Sequence, residues 1–299
     1  VKTFITKGVD VNWVGSTNNT ALMYAAGKGH LDIVKYLVEN QANVNHSNNV
    51  GMTALHYAAG KGYVGTVEFL IAKGATVDSV DNDGATALHY AAENGHEETV
   101  EFLIGKGAIV DSANSDGATA LLLAAENEHD GIVEFLIGKG ATVDLADSDG
   151  DTALICAANN NLVKMVDLLI TYGANVNLKN KRGSFALIMA VSHGHVEIVD
   201  LLIQANAMIN DEDNFGNTAL SLAVTHGNAN IIRSLVNSPT IKIDHLLEDG
   251  FTALMIAAEF AETETAELLI EKGANVNHVD RYGETPLIRA ALFCKSEIA

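Results

Sequence analysis

The sequence predicts an all-α repeat solenoid of stacked helix-turn-helix units with short β-hairpin or turn tips, and three observations predict it. The segment Thr86-Ala87-Leu88-His89-Tyr90-Ala91-Ala92 recurs in variant form, its first position falling at Thr20, Thr53, Thr86, Thr119, Thr152, Phe185, Thr218, Thr252 and Thr285. The spacing is 33 residues throughout, apart from one interval of 34 between Thr218 and Thr252. Each period also carries one set of turn residues and two short helical patterns. Finally, 299 residues with 48% hydrophobic side chains lie near the size limit of a single core. A repeat array escapes that limit, because each unit buries its faces only against its neighbours.

The third period justifies the elements in order. Asp81-Asn82-Asp83-Gly84-Ala85 is turn-forming, with Gly84 free to take positive φ. Thr86 is placed as an N-cap for a first helix over 87–92. Glu93-Asn94-Gly95-His96 is a short connection in which Gly95 supplies the left-handed stop. In the second helix, Val100, Leu103 and Ile104 fall at helical spacing. Lys106-Gly107 ends it, a cation meeting the negative helix end and Gly closing the cap. Residues 108–111 then run extended into the next turn. Nothing in such a unit could fold alone.

The Gly-x-Thr-(Pro/Ala)-Leu-His-x-Ala-Ala opening, the Gly-His turn and the Gly-Ala-x-Val-Asn/Asp ending, on a period of 33, resemble the ankyrin repeat across essentially the whole chain. The expected organisation is one ankyrin-repeat domain over residues 1–299. Its units open near 15, 48, 81, 114, 147, 180, 213, 247 and 280, after a partial unit over 1–14. Departures carry expectations of their own. The family's proline at the first helix survives only at Pro286, with Ala elsewhere. Phe185 replaces the capping Thr, which predicts a helix start weaker by about 1 kcal/mol. Asn206 and Gln41 stand where Gly usually ends the second helix, and Asn suits the left-handed region better than Gln. The extra residue falls in Asn237-Ser238-Pro239-Thr240, where proline predicts a local offset of the stack. Neither end shows a polar cap, and residues 287–298 stay apolar like an internal repeat, so a fragment of a longer protein is expected.

Composition excludes several function classes. Lys plus Arg is 18 against Asp plus Glu 38, a formal charge of −20, which repels nucleic-acid phosphates and favours basic protein partners. Cys156 and Cys294 form neither a disulfide framework nor a zinc set, in keeping with a reducing compartment. No run approaches the roughly 20 apolar residues of a membrane span. Gly-Lys-Gly at Gly27, Gly60 and Gly105 lacks phosphate-loop spacing and reads as helix-ending chemistry. No catalytic pair, metal motif or cofactor site stands out, so neither an enzyme nor a cofactor is expected. Cys156 reads as a small buried hydrophobe. His193, His226 and His195 are the one weak candidate for a metal site.

The resemblance implies binding of another protein on a concave face made of turn tips and first helices. The expected setting is cytoplasmic and monomeric, with delivery into a host cell left open. The alternative is a structural spacer arm of a larger protein such as a channel or microbial effector. The exposed positions flank the turn Gly and follow the Ala-Ala pair, and along the chain they form zones. Lys28 and Lys61 come first. Acidic Asp83, Glu93, Asp116, Glu126, Asp149 and Asp151 follow, then Lys181 and Arg182. The last units offer Phe215, Phe251, Phe260 and Tyr282, with Phe293 beyond. The acidic zone predicts a Lys/Arg-rich partner segment, and the aromatic zone an anchor site. The resemblance further implies a structural role for His56, His89, His30, His96, His129 and His195. It also makes Asn45, Asn177, Asn210 and Asn277 match asparagines that are hydroxylated in animal members.

Overall fold

The computed structural model describes residues 1–248, 250–260 and 262–293; Cys294 and the remainder of the apolar run to residue 298 lie outside the described residues. By contacts the chain divides into two compact units, Val1–Ser148 and Asp149–Ala299. In the first, α1 (Lys2–Thr6) precedes four helix pairs: α2 (Ala21–Gly27) with α3 (Leu31–Glu39), α4 (Ala54–Ala59) with α5 (Val64–Ala72), α6 (Ala87–Glu93) with α7 (Glu97–Gly105), and α8 (Ala120–Glu126) with α9 (Asp130–Gly138). In the second, the pairs are α10 (Ala153–Asn159) with α11 (Val163–Thr171), α12 (Ala186–His193) with α13 (Val196–Gln204), α14 (Ala219–Thr225) with α15 (Ala229–Val236), and α16 (Ala253–Phe260) with α17 (Thr263–Glu271), followed by α18 (Pro286–Leu292). Within each unit, first helices pack on first helices and second helices on second helices. The result is an all-helical repeat solenoid, unit by unit.

Helices of six to nine residues are too short to persist alone. Packing and caps hold them. Thr119 and Thr20 take the expected N-cap role, their hydroxyls accepting from the N–H of Leu122 and Met23, each at 3.3 Å. The paired alanines Ala58–Ala59, Ala91–Ala92 and Ala124–Ala125 are fully buried, and their small side chains let neighbouring first helices approach closely. Val67, Leu70, Val100, Leu103, Val133 and Leu136 close the core from the second helices. Each such side chain contributes about 1.5–3 kcal/mol through burial.

The turns behave as their residues predict, with one addition. The tips are turns, with isolated antiparallel bridges joining Ala113 to Thr119 and Glu212 to Thr218 and no strand among the described residues. The lysines after the second helices also do more than complement the helix end. Lys73, Lys106 and Lys139 fold back so that each ammonium lies 5.2–5.6 Å from the ring centre of Phe69, Phe102 or Phe135. Gly95 (φ +75°) takes the left-handed stop, and a Cβ there would sit 2.6 Å from Cε1 of His129. Glu128 occupies the corresponding left-handed place in the next repeat at φ 59°, while Gln41 and Asn206 take it at 69° and 63° after second helices.

Within each unit a ladder along one edge ties successive repeats together. Asn45 donates from Nδ2 to the carbonyl of Gly74 and accepts at Oδ1 from the N–H of Thr76, both at 2.9 Å. Asn12, Asp78, Asp111, Asn177, Asn210 and Asp244 accept from the equivalent backbone N–H of the following repeat. The extra residue of the seventh unit does not displace this ladder. Asn210 still reaches the carbonyl of Thr240 and the N–H of Lys242, both at 2.8 Å. Proline ends α15 at Val236 as expected, and the surplus residue is taken up in the bend between it and Thr240.

Phe185 lacks the cap as expected and also packs as core. Its side chain makes no cap hydrogen bond, but it is 1% exposed, with the Lys179 ammonium 5.5 Å from its ring centre. The buried ring adds packing where the cap is lost, and α12 starts at the residue equivalent to the starts of α10 and α14.

Candidate functional site

The tips are built by one side chain per repeat. Asp81 Oδ1 accepts from the N–H of Asp83 and of Ala85, at 3.0 and 2.9 Å. Asn48, Asn114, Asn180, Asp213 and Asp280 make the same two bonds two and four residues on. Such an oxygen fixes the loop locally, which suits Asp and Asn to this position. It also fixes the apex residue before the turn glycine: Val50, Asp83 and Asp116 in the first unit, Arg182, Phe215 and Tyr282 in the second. Backbone bonds link successive tips, Ser115 N–H to Asp83 O at 2.8 Å and Ser148 N–H to Asp116 O at 2.7 Å. The second unit continues the pattern from Lys181 N–H to Asp149 O and from Asn214 N–H to Arg182 O. Within each unit these bonds set neighbouring apices side by side, and their side chains remain exposed.

Of the residues singled out in the sequence, Asp83, Glu93, Asp116 and Glu126 are exposed on the first unit, at tips and first-helix ends. On the second, Asp149, Lys181 and Arg182 are exposed, Phe215 is 74% exposed, Tyr282 66% and Phe260 53%. Two behave differently. Asp151 is half-buried and accepts from Asn180 Nδ2 at 2.7 Å. Phe251 is half-buried beneath Arg289, whose guanidinium carbon lies 4.0 Å from its ring centre. An aromatic face already stacked on a cation is a poor anchor, so the aromatic zone consists of Phe215, Phe260 and Tyr282. Cys156, expected buried, is half-buried.

The Arg289 cluster was not legible in the sequence. Its Nη2 donates to Asp280 Oδ2 at 2.9 Å, Nη1 lies 3.4 Å from Glu259 Oε2, and Nε lies 2.8 Å from Glu284 Oε2 as an ion contact rather than an aligned hydrogen bond. Burial opposes ionisation of Asp280, but bonds from the backbone of Glu284, from Arg289 and from the backbone of Tyr282 outweigh it and hold the carboxyl below its usual value. The position of Arg289 has a regular meaning. Tyr57 and Tyr90 stand at the same place in their repeats and reach the same tip residue nine positions back. Asn48 Nδ2 donates to the Tyr57 hydroxyl at 3.0 Å, and the Tyr90 hydroxyl donates to Asp81 Oδ2 at 2.5 Å. Burial, reinforced by that carboxylate, raises the Tyr90 hydroxyl pKa far above its usual value. The only sequence signal was a tyrosine exactly nine residues after an Asn or Asp in consecutive units.

His56, His89, His96, His129 and His195 take the structural role expected of them. Thr86 N–H donates to His89 Nδ1 at 3.1 Å, which leaves the proton on Nε2 to bond the carbonyl of Ala118 in the next repeat at 3.1 Å. His56 does the same between Thr53 and Ala85. His96, His129 and His195 reach back 36 residues to the carbonyls of Gly60, Glu93 and Asn159. His193 and His195 stack 5.7 Å apart, each with one ring nitrogen on a carbonyl. Among the described residues no group of His, Cys, Asp or Glu is arranged to hold a metal ion.

The stacked helix pairs, the Asx-built tips and the histidine ties define a repeat protein whose variable residues lie on one set of loops and helix ends. The family model for ankyrin repeats, written as three copies, matches residues 1–81, 42–114, 66–147, 88–180, 154–246 and 241–299. The chain belongs to the ankyrin-repeat family. No curated protein matches it significantly. Ankyrin repeats are in general protein–protein interaction modules and typically non-enzymatic. Among the described residues no helix is long and apolar enough to cross a membrane.

Proposed function

We propose that this chain is a cytoplasmic interaction scaffold that takes a partner protein on its turn tips and first-helix ends, with a basic partner segment meeting the acidic repeats. One observation carries this reading. The apex and helix-end residues are exposed and change in zones along the chain, from Asp and Glu over 83–149 to Arg182, Phe215 and Tyr282, while the Thr, Leu and Ala between them are buried and nearly constant. Buried constants answer to packing, whereas exposed variables are free to specify a ligand. Charge supports the sign of the partner: residues 81–146 hold thirteen carboxylates against two lysines, Lys106 and Lys139.

The test is affinity capture from source-cell lysate at low and high salt. The wild-type chain is compared with one carrying Ala at Asp83, Glu93, Asp116, Glu126 and Asp149. A protein held by the first bait, lost from the second and released by salt supports the reading. Equal recovery on both baits removes the acidic repeats from it and shifts attention to Phe215, Phe260 and Tyr282.

A further inference from the structure

An open groove of about 400 Å³ lies on the first-helix face of the first unit, between α4 and α6. Tyr57 and Tyr90 line it, with Glu93 at the end of α6. Both tyrosines are half-buried, and their hydroxyls are fixed by Asn48 and Asp81, so the rings stand in set positions. Gly60 keeps the space between them open. A Cβ there would lie 3.4 Å from Tyr90 Cβ, and a longer side chain would extend over the ring. Glu93 stands in the following repeat where Gly60 stands in this one, so the groove runs from an aromatic floor to a carboxylate.

In the second unit the chain itself sets a guanidinium between an aromatic ring and a carboxylate, with the ring in a different register. Arg289, in the register of Tyr57 and Tyr90, lies on the ring of Phe251 and faces Glu259. Glu259 stands in its repeat where Glu93 stands in the third, and Arg289 reaches it from the following repeat. A planar guanidinium satisfies an aromatic face and a carboxylate together, which an ammonium does less well. We infer that the groove formed by Tyr57, Tyr90 and Glu93 is a subsite for an arginine side chain of the partner. The inference rests on the proposal that the first-helix face binds a partner. Lys61 also borders the groove and opposes a cation there, so the occupant pairs with Glu93 rather than sitting centrally.

The test uses three fluorescent peptides on one Gly/Ser background, carrying three arginines, three lysines or three citrullines, titrated against the intact chain by anisotropy at moderate salt. The arginine peptide is expected to bind about tenfold more tightly than the lysine peptide, and the citrulline peptide not measurably. Tyr57→Leu with Tyr90→Leu should bring the arginine peptide to the level of the lysine peptide; Leu123 already fills this position in repeat four, and circular dichroism checks the fold. Glu93→Gln, at an exposed helix end, should weaken the arginine peptide severalfold, and Lys61→Ala should strengthen it. Equal binding of arginine and lysine peptides, or no effect of the tyrosine changes, overturns the subsite, as does failure of the arginine peptide to bind. The broader proposal is separable: a partner lost from the five-fold alanine bait but retained by the double-leucine bait sinks the subsite and leaves the scaffold reading standing.

Discussion

Gly95→Ala, compared with Gly107→Ala, separates backbone strain from the closeness of neighbouring repeats. Both glycines have positive φ, +75° and +89°, so alanine strains both by about 1 kcal/mol. Around Gly107 nothing lies within 4 Å of the added carbon. At Gly95 the carbon would meet His129 at 2.6 Å, and that ring is bonded to the Glu93 carbonyl at 3.0 Å. The ring must swing away, losing a hydrogen bond of about 1 kcal/mol and adding about 1 kcal/mol or more of overpacking. Gly95→Ala should therefore cost about 3 kcal/mol and Gly107→Ala about 1. Urea unfolding followed by far-ultraviolet circular dichroism reads the gap, a midpoint difference of about 1 M for a slope near 2 kcal/mol per M. Adding His129→Ala to each variant should remove most of the excess at Gly95 and leave Gly107→Ala unaffected. Equal midpoints for the two alanine variants would refute the close approach of the repeats.

Glu128→Gly should stabilise the chain by about 1 kcal/mol, because it relieves a left-handed glutamate at φ 59°; a lower urea midpoint would count against the strain. Burial holds the imidazoles of His56 and His89 below their ordinary value of 6.5. Their contribution is complete above that value and declines as pH falls below it, since the unfolded chain takes up protons first. His56→Leu with His89→Leu should flatten the stability loss between about pH 7 and pH 5, and an unchanged pH slope would contradict this. Phe185→Ala should cost about 3–5 kcal/mol, and Phe185→Thr should remain destabilising even with a cap restored. A melting temperature for Phe185→Thr at or above wild type would show that the cap outweighs the buried ring.

Much of this was legible in the sequence because each repeat has to solve the same packing problem. Thr86, Gly84, Gly95 and Val100 announced a turn and two helices, and their recurrence at a fixed period announced the stack. Legibility ended where one repeat's side chain acts on another element. Phe185 looked like a lost cap, and only its position between elements shows a ring at 1% exposure. Phe251 looked like an exposed anchor, and only the packing of α18 on α16 brings Arg289 over it. Tyr57 and Tyr90 gave no clear signal, because a tip-to-helix bond at nine residues matches neither helical nor strand spacing. The exposed zones could be read as positions, since exposure follows from register, but charge and register alone do not specify a ligand.

The seventh repeat shows how such an array can change length. Its edge ladder is measured from atom to atom, from the Asn210 side chain to Thr240 and Lys242, and not by residues along the chain. Residue number is free wherever no rung attaches. The bend over 237–239 is therefore a natural splice point: a short Gly/Ser insert there should leave α15 and α17 in step, while the same insert between Lys242 and Asp244 would separate one rung from the next. A lineage of such proteins could gain residues in the bends and keep its stacking, its period drifting in sequence while remaining constant in space.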